Sequence, residues 1–279
     1  MIIPNKFSLS EFINVNSNQI LTTNSNAKNA IELILQKVLK CNRIDLYTKT
    51  DLTPNKKQFQ IISTYMNRLK KGEPIQYILN QAFFYGHSFF VDSNVLIPRF
   101  DTELIIEILK EHKKCIDLLE IGTGSGNIAI TIFKENLAEN ILATDTCEEK
   151  VNIAKYNEQK VCPNSNISFI IDDFLNTKII NKFDIIVSNP PYIPISQINQ
   201  LDPLVKYHEP LSALSDGEDG YHFYRKFASY GRSILKEDGF MLLEIGVDNK
   251  LEKLYNIFSN YRIKVYKDIN NISRVIKVY

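Results

Sequence analysis

The sequence predicts an α/β protein in two parts, a small helical domain over residues 1–80 and a larger α/β domain over 81–279, joined by a β-hairpin. Three observations carry that expectation. From residue 115 onward, short apolar β-branched runs alternate with stretches of helical period, as repeated βα units do. Before residue 80 there is no strong strand alternation, only helical stripes. Between the two, FFYGHSFFVDSNVLIP (83–98) is aromatic and β-branched and is broken by Gly86-His87 and Asp92-Ser93-Asn94, as a short hairpin would be.

In AKNAIELILQKVLK (27–40), Ala30, Ile31, Leu33, Ile34, Leu35, Val38 and Leu39 form a broad apolar stripe of helical period. Asp51 and Thr53-Pro54 offer helix-start chemistry before KKQFQIISTYMNRLKKG (56–72), and Gly72 stands where a C-terminal stop belongs. After Pro98, DTELIIEILKEH begins a helix that Asp101 or Thr102 can cap, with Leu104, Ile105 and Ile108 facing inward. Strands are expected at 115–121, 141–145, 167–171, 183–188, 240–246, 261–267 and 273–279, with helices at 127–137, 147–159, 219–235 and 248–259. Such a chain builds a parallel sheet with right-handed crossovers, helices on both faces, and ligands outside the carboxyl ends of the strands. The Gln-, Asn-, Asp- and Gly-containing stretch 196–220 is expected to be loop that orders with substrate.

Composition bounds the function. Hydrophobic residues make up 44% and charged residues 23%, the values of an ordinary soluble protein. Lys and Arg total 33 against 32 acidic residues, so overall charge points to no polyanion partner. The balance is uneven, because residues 1–85 carry 11 Lys/Arg and 5 Asp/Glu, a net +6, and the remainder is net −5. A basic front could meet an acidic or RNA-associated partner; a solvated helical surface fits the same count. Cys41, Cys115, Cys147 and Cys162 show no CxxC spacing and read as reduced thiols rather than zinc ligands. MIIPNKFSLS lacks the charged start and apolar core of a signal peptide, and no apolar run approaches the ~18–20 residues of a membrane span, so a cytoplasmic location is expected. The scattered His87, His112, His208 and His222 receive no role.

EIGTGSG (120–126) ends the first strand of the alternating part and opens a helix. Gly122, Gly124 and Gly126 let the backbone turn tightly and a ligand approach, with Thr123 and Ser125 between them. The spacing is GxGxG, and Asn127 occupies the place of a dinucleotide fold's third glycine. A plain strand-to-helix turn would read the same way. Asp145 ends the second strand, 23 residues after Gly122, where a carboxylate can accept both ribose hydroxyls or cap the next helix. Asp173-Phe174, after the third strand, suits an adenine, with a carboxylate for its amine and an aromatic face for stacking. Together these positions describe a nucleoside lying across the strand ends.

The fourth strand runs into Asn189-Pro190-Pro191-Tyr192. The prolines fix a rigid extended turn and remove two backbone donors, leaving carbonyl oxygens to accept. Asn189 adds a side-chain carbonyl and Tyr192 a flat π surface, a pocket for a planar NH₂ group beside a nucleoside cofactor. Asn-Pro-Pro-Tyr resembles the motif of amino-methylating enzymes that act on adenine or on glutamine amides. PIQYILNQAFFYG (74–86), LIPRFDTE (96–103), EIGTGSGNIAI (120–130), FDIIVSNPPYI (183–193) and EPLSALSDGEDGYHFYR (209–225) together resemble the release factor glutamine methyltransferase family over residues 70–279, and more loosely before.

The resemblance implies a Rossmann-like seven-stranded methyltransferase domain with an N-terminal helical substrate-recognition domain. It implies S-adenosyl-L-methionine as cofactor, held by Gly122–Gly126, Asp145, Asp173, Phe174 and Asn189. Asn189, Pro190, Pro191 and Tyr192 would bind and methylate the glutamine of the Gly-Gly-Gln motif in class I peptide chain release factors, with no membrane or direct nucleic-acid partner. The chain departs from the family pattern at Phe100, where proline is usual, and at Phe174, where tryptophan is more frequent. An adenine amino-methyltransferase acting on nucleic acid is the alternative; the net negative α/β part and the absence of a basic recognition insert disfavour it. A noncatalytic nucleotide-binding protein and a nicotinamide dehydrogenase fit the retained motifs less well.

Overall fold

The computed structural model of the chain describes residues 8–20, 26–49 and 51–279. Residues 1–7, most of the segment read above for a signal peptide, lie outside them. The chain divides into two compact units, Met1–Asn80 and Gln81–Tyr279.

The first unit holds α1 (Leu9–Ile20), α2 (Ala27–Leu39), α3 (Asp45–Thr48), α4 (Lys56–Lys70) and α5 (Ile75–Leu79). Ile31, Ile34 and Leu35 of α2 pack with Ile13 and Ile20 of α1 and with Ile62, Met66 and Leu69 of α4. Each such side chain contributes about 1.5–3 kcal/mol on leaving water. The start of α4 is set by Asn55 rather than by Asp51 or Thr53. Asn55 Oδ1 accepts the Gln58 N–H and Gln58 Oε1 accepts the Asn55 N–H, both at 2.9 Å. Gly72 follows the helix at φ 81°, and its N–H donates to the Leu69 carbonyl. Buried Glu32 accepts from Arg43 Nε (2.6 Å) and the Tyr47 hydroxyl (2.5 Å). Burial pushes its carboxyl up, but these donors more than offset that and hold it below the usual range.

The second unit opens with β1 (Ala82–Phe84) and β2 (His87–Phe89), paired antiparallel. Tyr85 and Gly86, both at positive φ (48° and 76°), make the two-residue turn that matches strand twist. The hairpin is shorter than 83–98. Then come α6 (Glu103–Lys110), β3 (Cys115–Ile121), α7 (Asn127–Lys134), β4 (Ala138–Asp145), α8 (Glu148–Val161), β5 (Ile167–Ile171) and β6 (Phe183–Ser188). They are followed by the short helices α9 (Pro203–Lys206) and α10 (Leu211–Leu214) and by α11 (His222–Tyr230). The chain continues through β7 (Leu235–Glu244), α12 (Leu251–Ile257), β8 (Ile263–Lys267) and β9 (Ser273–Val278). The stretch read as loop after 196 thus includes two short helices and a 3-10 turn at Ile195–Gln200. Helix α7 stops three residues early because Asn136 turns left-handed (φ 56°) and β4 begins at Ala138.

The seven strands lie in the order β5-β4-β3-β6-β7-β9-β8. The first five run parallel, whereas β9 is antiparallel to both neighbours, which corrects the all-parallel expectation. The reason is local: only residues 268–272 separate β8 from β9, enough for a hairpin and too few for a crossover. Alternate residues feed two cores. Leu118, Ile185, Val187 and Leu242 face α6, α7 and α8 residues such as Ile106, Ile130 and Val151. Leu119, Ile186, Met241 and Leu243 meet Tyr224 and Phe227 of α11 and Leu254 of α12. This is the expected Rossmann-like layering, seven strands with helices on both faces.

Candidate active site

Strand order reverses at β3, which lies between β4 and β6. Register pairs Ile121 with Thr144 and with Ser188, so Gly122, Asp145 and Asn189 leave the sheet side by side. A cavity of about 390 Å³ opens there, lined by the glycine turn, Asp145, Asp172 to Phe174, Asn189 to Pro191, and Thr102. It sits where open α/β sheets bind ligands.

Gly122, Gly124 and Gly126 all have positive φ (77°, 53° and 80°). A Cβ at Gly122 or Gly124 would meet nothing within 4 Å, so the bare backbone faces open space. At Gly126 a Cβ would stand 2.9 Å from Ile130 Cδ1 and 3.2 Å from Ala154 Cβ; this glycine serves the packing of α7 on α8. Thr123 and Ser125, 2% and 1% exposed, anchor the turn. The Thr123 hydroxyl donates to Glu120 Oε2 at 2.7 Å, and Ser125 Oγ to Asn127 Oδ1 at 3.0 Å. Full burial pushes the Glu120 carboxyl up to about 7, against the Thr123 hydroxyl and the Ala129 N–H, which stabilise its charge.

Asp145 is buried at the end of β4. Its Oδ2 accepts the Gly124 N–H (2.8 Å) and its Oδ1 the Thr146 N–H (2.8 Å). Asp145 does not cap α8, whose N-cap is Cys147. The Lys150 ammonium lies 3.0 Å from Oδ1 and reaches Ser212 Oγ at 3.4 Å, a buried ion pair on the cavity wall that the sequence reading missed. Asp173 is turned to its own loop, accepting from Leu175 N and from Asn176 Nδ2. Its neighbour Asp172 instead carries a buried, unpartnered Oδ2. The Phe174 ring is 2% exposed and already faces Phe227 at a centroid distance of 4.5 Å. The stacking surface expected of Phe174 is therefore spent largely on the core: the ring borders the cavity but does not stand open in it.

After β6, Pro190 is buried and Asn189 and Pro191 half-buried on the cavity wall. Asn189 Nδ2 donates to Thr102 Oγ1 at 3.1 Å, which leaves Oδ1 as the acceptor. Thr102 does not cap α6 with its side chain; this tertiary contact claims it. Asp101 likewise turns to Arg274 of β9, at 2.9 Å. Tyr192 stands apart from the residues lining the cavity. Its ring packs on Gly246, where a Cβ would come within 2.6 Å, and its hydroxyl lies 3.5 Å from Glu244 Oε1. Burial, with Glu244 beside it, pushes the phenol up. The turn is held from behind. Gly220 (φ 78°) lies so near that a Cβ would sit 2.3 Å from the Tyr192 carbonyl, and Ile193 N donates to the Leu214 carbonyl. Arg99, on the cavity wall, pairs at 2.5 Å with buried Glu209 just before α10. Phe100 beside it is 71% exposed, so its side chain takes no part in the wall.

The sequence-predicted residues thus converge on one edge, with the Phe174 ring bordering the cavity and Tyr192 set back from it. Thr102, Lys150, Asp172 and Glu244 went unassigned to this site. Only Asp172 carried a local signal, a second acidic residue at a strand end.

Residues 17–79 match the family model for the PrmC N-terminal domain, and residues 97–201 that for the methyltransferase small domain. A release factor glutamine methyltransferase of Bacillus cereus is 35% identical over 93% of this chain and 95% of its own. One from Thermodesulfovibrio yellowstonii is 37% identical over 90% and 91%. A crystal structure of a methyltransferase from Pyrococcus furiosus shares the fold with a TM-score of 0.52 at 21% identity, covering 77% of this chain and 98% of that one. On this identity, sustained across nine tenths of both chains, the protein belongs to the release factor glutamine methyltransferase family, enzymes whose cofactor is S-adenosyl-L-methionine.

Proposed function

We propose that the chain methylates the side-chain amide nitrogen of the glutamine in the Gly-Gly-Gln motif of class I peptide chain release factors, in the cytoplasm. The observation that carries this reading is the Asn189 amide. Its NH₂ is tied to Thr102, so an oxygen acceptor remains on a proline-stiffened turn beside the cofactor cavity.

The residues present fit the cofactor. Bare backbone at Gly122 and Gly124 leaves room for it, and the unpartnered Asp172 Oδ2 offers an acceptor for an amine. Asp145, Asp172 and the glycine turn would hold S-adenosyl-L-methionine, with Asp173 and Phe174 bordering it. When bound, it supplies an electrophilic methyl group carried on a sulfonium.

A carboxamide nitrogen is a poor nucleophile because its lone pair is delocalised. Asn189 Oδ1 and the Pro190 carbonyl accept its two hydrogens, orient it, and favour the positive charge that builds on it. Each well-placed acceptor is worth ~2–4 kcal/mol in a water-poor site, and alignment adds a proximity contribution. Pro191 walls the amide plane. Tyr192 stiffens the turn from behind through Gly246. The proton leaves to water after transfer, so no general base is required.

The first unit, net basic, is the substrate-recognition domain in this reading. Among the described residues no helix is long and apolar enough to cross a membrane. The test is mass spectrometry of a release factor incubated with enzyme and cofactor: a gain of about 14 Da, one added CH₂, on the Gly-Gly-Gln peptide, lost in Asn189→Ala while cofactor affinity persists. Transfer to adenine in DNA with an unmodified peptide would overturn the proposal.

A further inference from the structure

A carboxylate accepts about four hydrogen bonds, two on each oxygen. Donors from the protein already take three of these places on Asp145. Its Oδ2 accepts the Gly124 N–H at 2.8 Å. Its Oδ1 accepts the Thr146 N–H at 2.8 Å and the Lys150 ammonium at 3.0 Å, with the Thr146 hydroxyl a longer 3.4 Å away. Holding both hydroxyls of a ribose takes one place on each oxygen, and Oδ1 has none to spare. The two N–H groups belong to the backbone and cannot withdraw. Lys150 ends a flexible four-carbon stem, so it is the donor that yields.

The structure also supplies the place it yields to. Ser212 Oγ of α10 lies 3.4 Å from the same nitrogen, about half an ångström beyond ordinary hydrogen-bond length. Lys150 is 8% exposed and lines the cavity together with Ser212. Helix α10 in turn backs the methyl-acceptor side. Glu209 just before it pairs with Arg99 at 2.5 Å, and its Leu214 carbonyl accepts the Ile193 N–H at 3.0 Å, directly after Asn-Pro-Pro-Tyr. One ammonium thus stands between the carboxylate of the cofactor half and the helix behind the acceptor half.

We propose that Lys150 is a positioning residue that couples the two halves of the site. Ribose hydroxyls take its place on Asp145 Oδ1, the ammonium shifts onto Ser212, and α10 is held firmly behind the acceptor turn once the cofactor is in place. The assignment of Asp145 to the ribose rests on the function proposed above. Two consequences follow from the exchange. The hydroxyls bind Asp145 against competition from Lys150, which weakens them. By linkage, a protein substrate that steadies α10 favours the cofactor to the same degree, so cofactor and substrate bind cooperatively.

Binding of S-adenosyl-L-homocysteine, and of an analogue lacking both ribose hydroxyls, tests this in wild type, Lys150→Met and Ser212→Ala. Lys150→Met keeps the apolar stem and removes the competing donor. By calorimetry the preference for S-adenosyl-L-homocysteine over the analogue should grow three- to tenfold in Lys150→Met. The second measurement is hydrogen exchange at the Ala213 and Ser215 amides, which donate to the Pro210 and Leu211 carbonyls at 2.9 Å. Saturating S-adenosyl-L-homocysteine should slow both at least threefold in wild type. The analogue should slow them less than twofold, as should S-adenosyl-L-homocysteine in either variant. Ser212 is exposed, so Ser212→Ala keeps this arm decisive if Lys150→Met does not fold. An unchanged or smaller preference in Lys150→Met, equal slowing in wild type and Ser212→Ala, or no slowing in wild type would overturn the proposal. Neither arm reads methyl transfer. A wild-type protein that binds S-adenosyl-L-homocysteine yet modifies no Gly-Gly-Gln peptide would fail the functional reading and leave these results standing.

Discussion

Two alanine substitutions two residues apart should fail in opposite ways. Gly124 and Gly126 both have positive φ, so either alanine costs ~1–2 kcal/mol of backbone strain. At Gly124 that is the whole stability cost, because the new Cβ meets nothing within 4 Å. At Gly126 the methyl lands 2.9 Å from Ile130 Cδ1, 3.2 Å from Ala154 Cβ and 3.3 Å from Ala154 Cα, adding ~1–3 kcal/mol of overpacking. In a unit of this size each kcal/mol moves Tm by ~2–4 °C. Gly124→Ala should therefore melt ~2–8 °C lower and Gly126→Ala ~4–20 °C lower. Cofactor affinity should reverse that order. The Gly124 methyl intrudes on the cavity and should weaken binding at least tenfold, about 1.4 kcal/mol, whereas Gly126→Ala, where folded, should bind within threefold. Thermal melts and titration calorimetry on both variants decide it. Wild-type affinity in Gly124→Ala, or loss of affinity without loss of Tm in Gly126→Ala, would refute the division of labour.

Asp145→Ala should abolish tight cofactor binding and also cost ~3–5 kcal/mol in denaturant melts, since the buried Lys150 ammonium loses its partner; Lys150→Ala in the same background should restore stability without restoring affinity. Gly220→Ala should lower kcat at unchanged cofactor affinity, read by steady-state kinetics and calorimetry, because its Cβ would displace the Tyr192 carbonyl and the motif with it. For pH, the folded Glu120 carboxyl sits near 7, above its unfolded value, so the native state holds more protons than the unfolded chain between about 4.5 and 7. Stability should fall as pH rises through that window, by on the order of 3 kcal/mol, and urea melts of Glu120→Gln should show a flatter profile there.

Much of the sheet was legible because its signal is local. Strands such as 115–121 and 183–188 are apolar on both faces, and the glycines mark where the chain leaves the sheet. The direction of β9 was not legible, since strand alternation is the same for either orientation and only the short 268–272 connection betrays the hairpin. Helix α1 escaped location because half of its buried stripe is polar, Asn16 and Ser17 beside Ile13 and Ile20. At the site, Asp145 and Asn189 were readable from motif spacing, whereas Thr102 looked like a helix cap and only tertiary contact redirects it. Phe174 was ambiguous for a similar reason. An aromatic after a strand can face a ligand or a core, and Phe227, more than fifty residues later, makes the difference.

Strand β9 lies between β7 and β8, both of which precede it in the chain. During synthesis, then, β7 emerges from the ribosome with one edge bare, and no residue upstream of 273 can cover it. Arg274, the partner of Asp101, arrives with that same late strand. A nascent chain halted before this point would expose a sticky sheet margin and leave Asp101 without its arginine, so truncation ahead of residue 273 should yield aggregates rather than a weak enzyme.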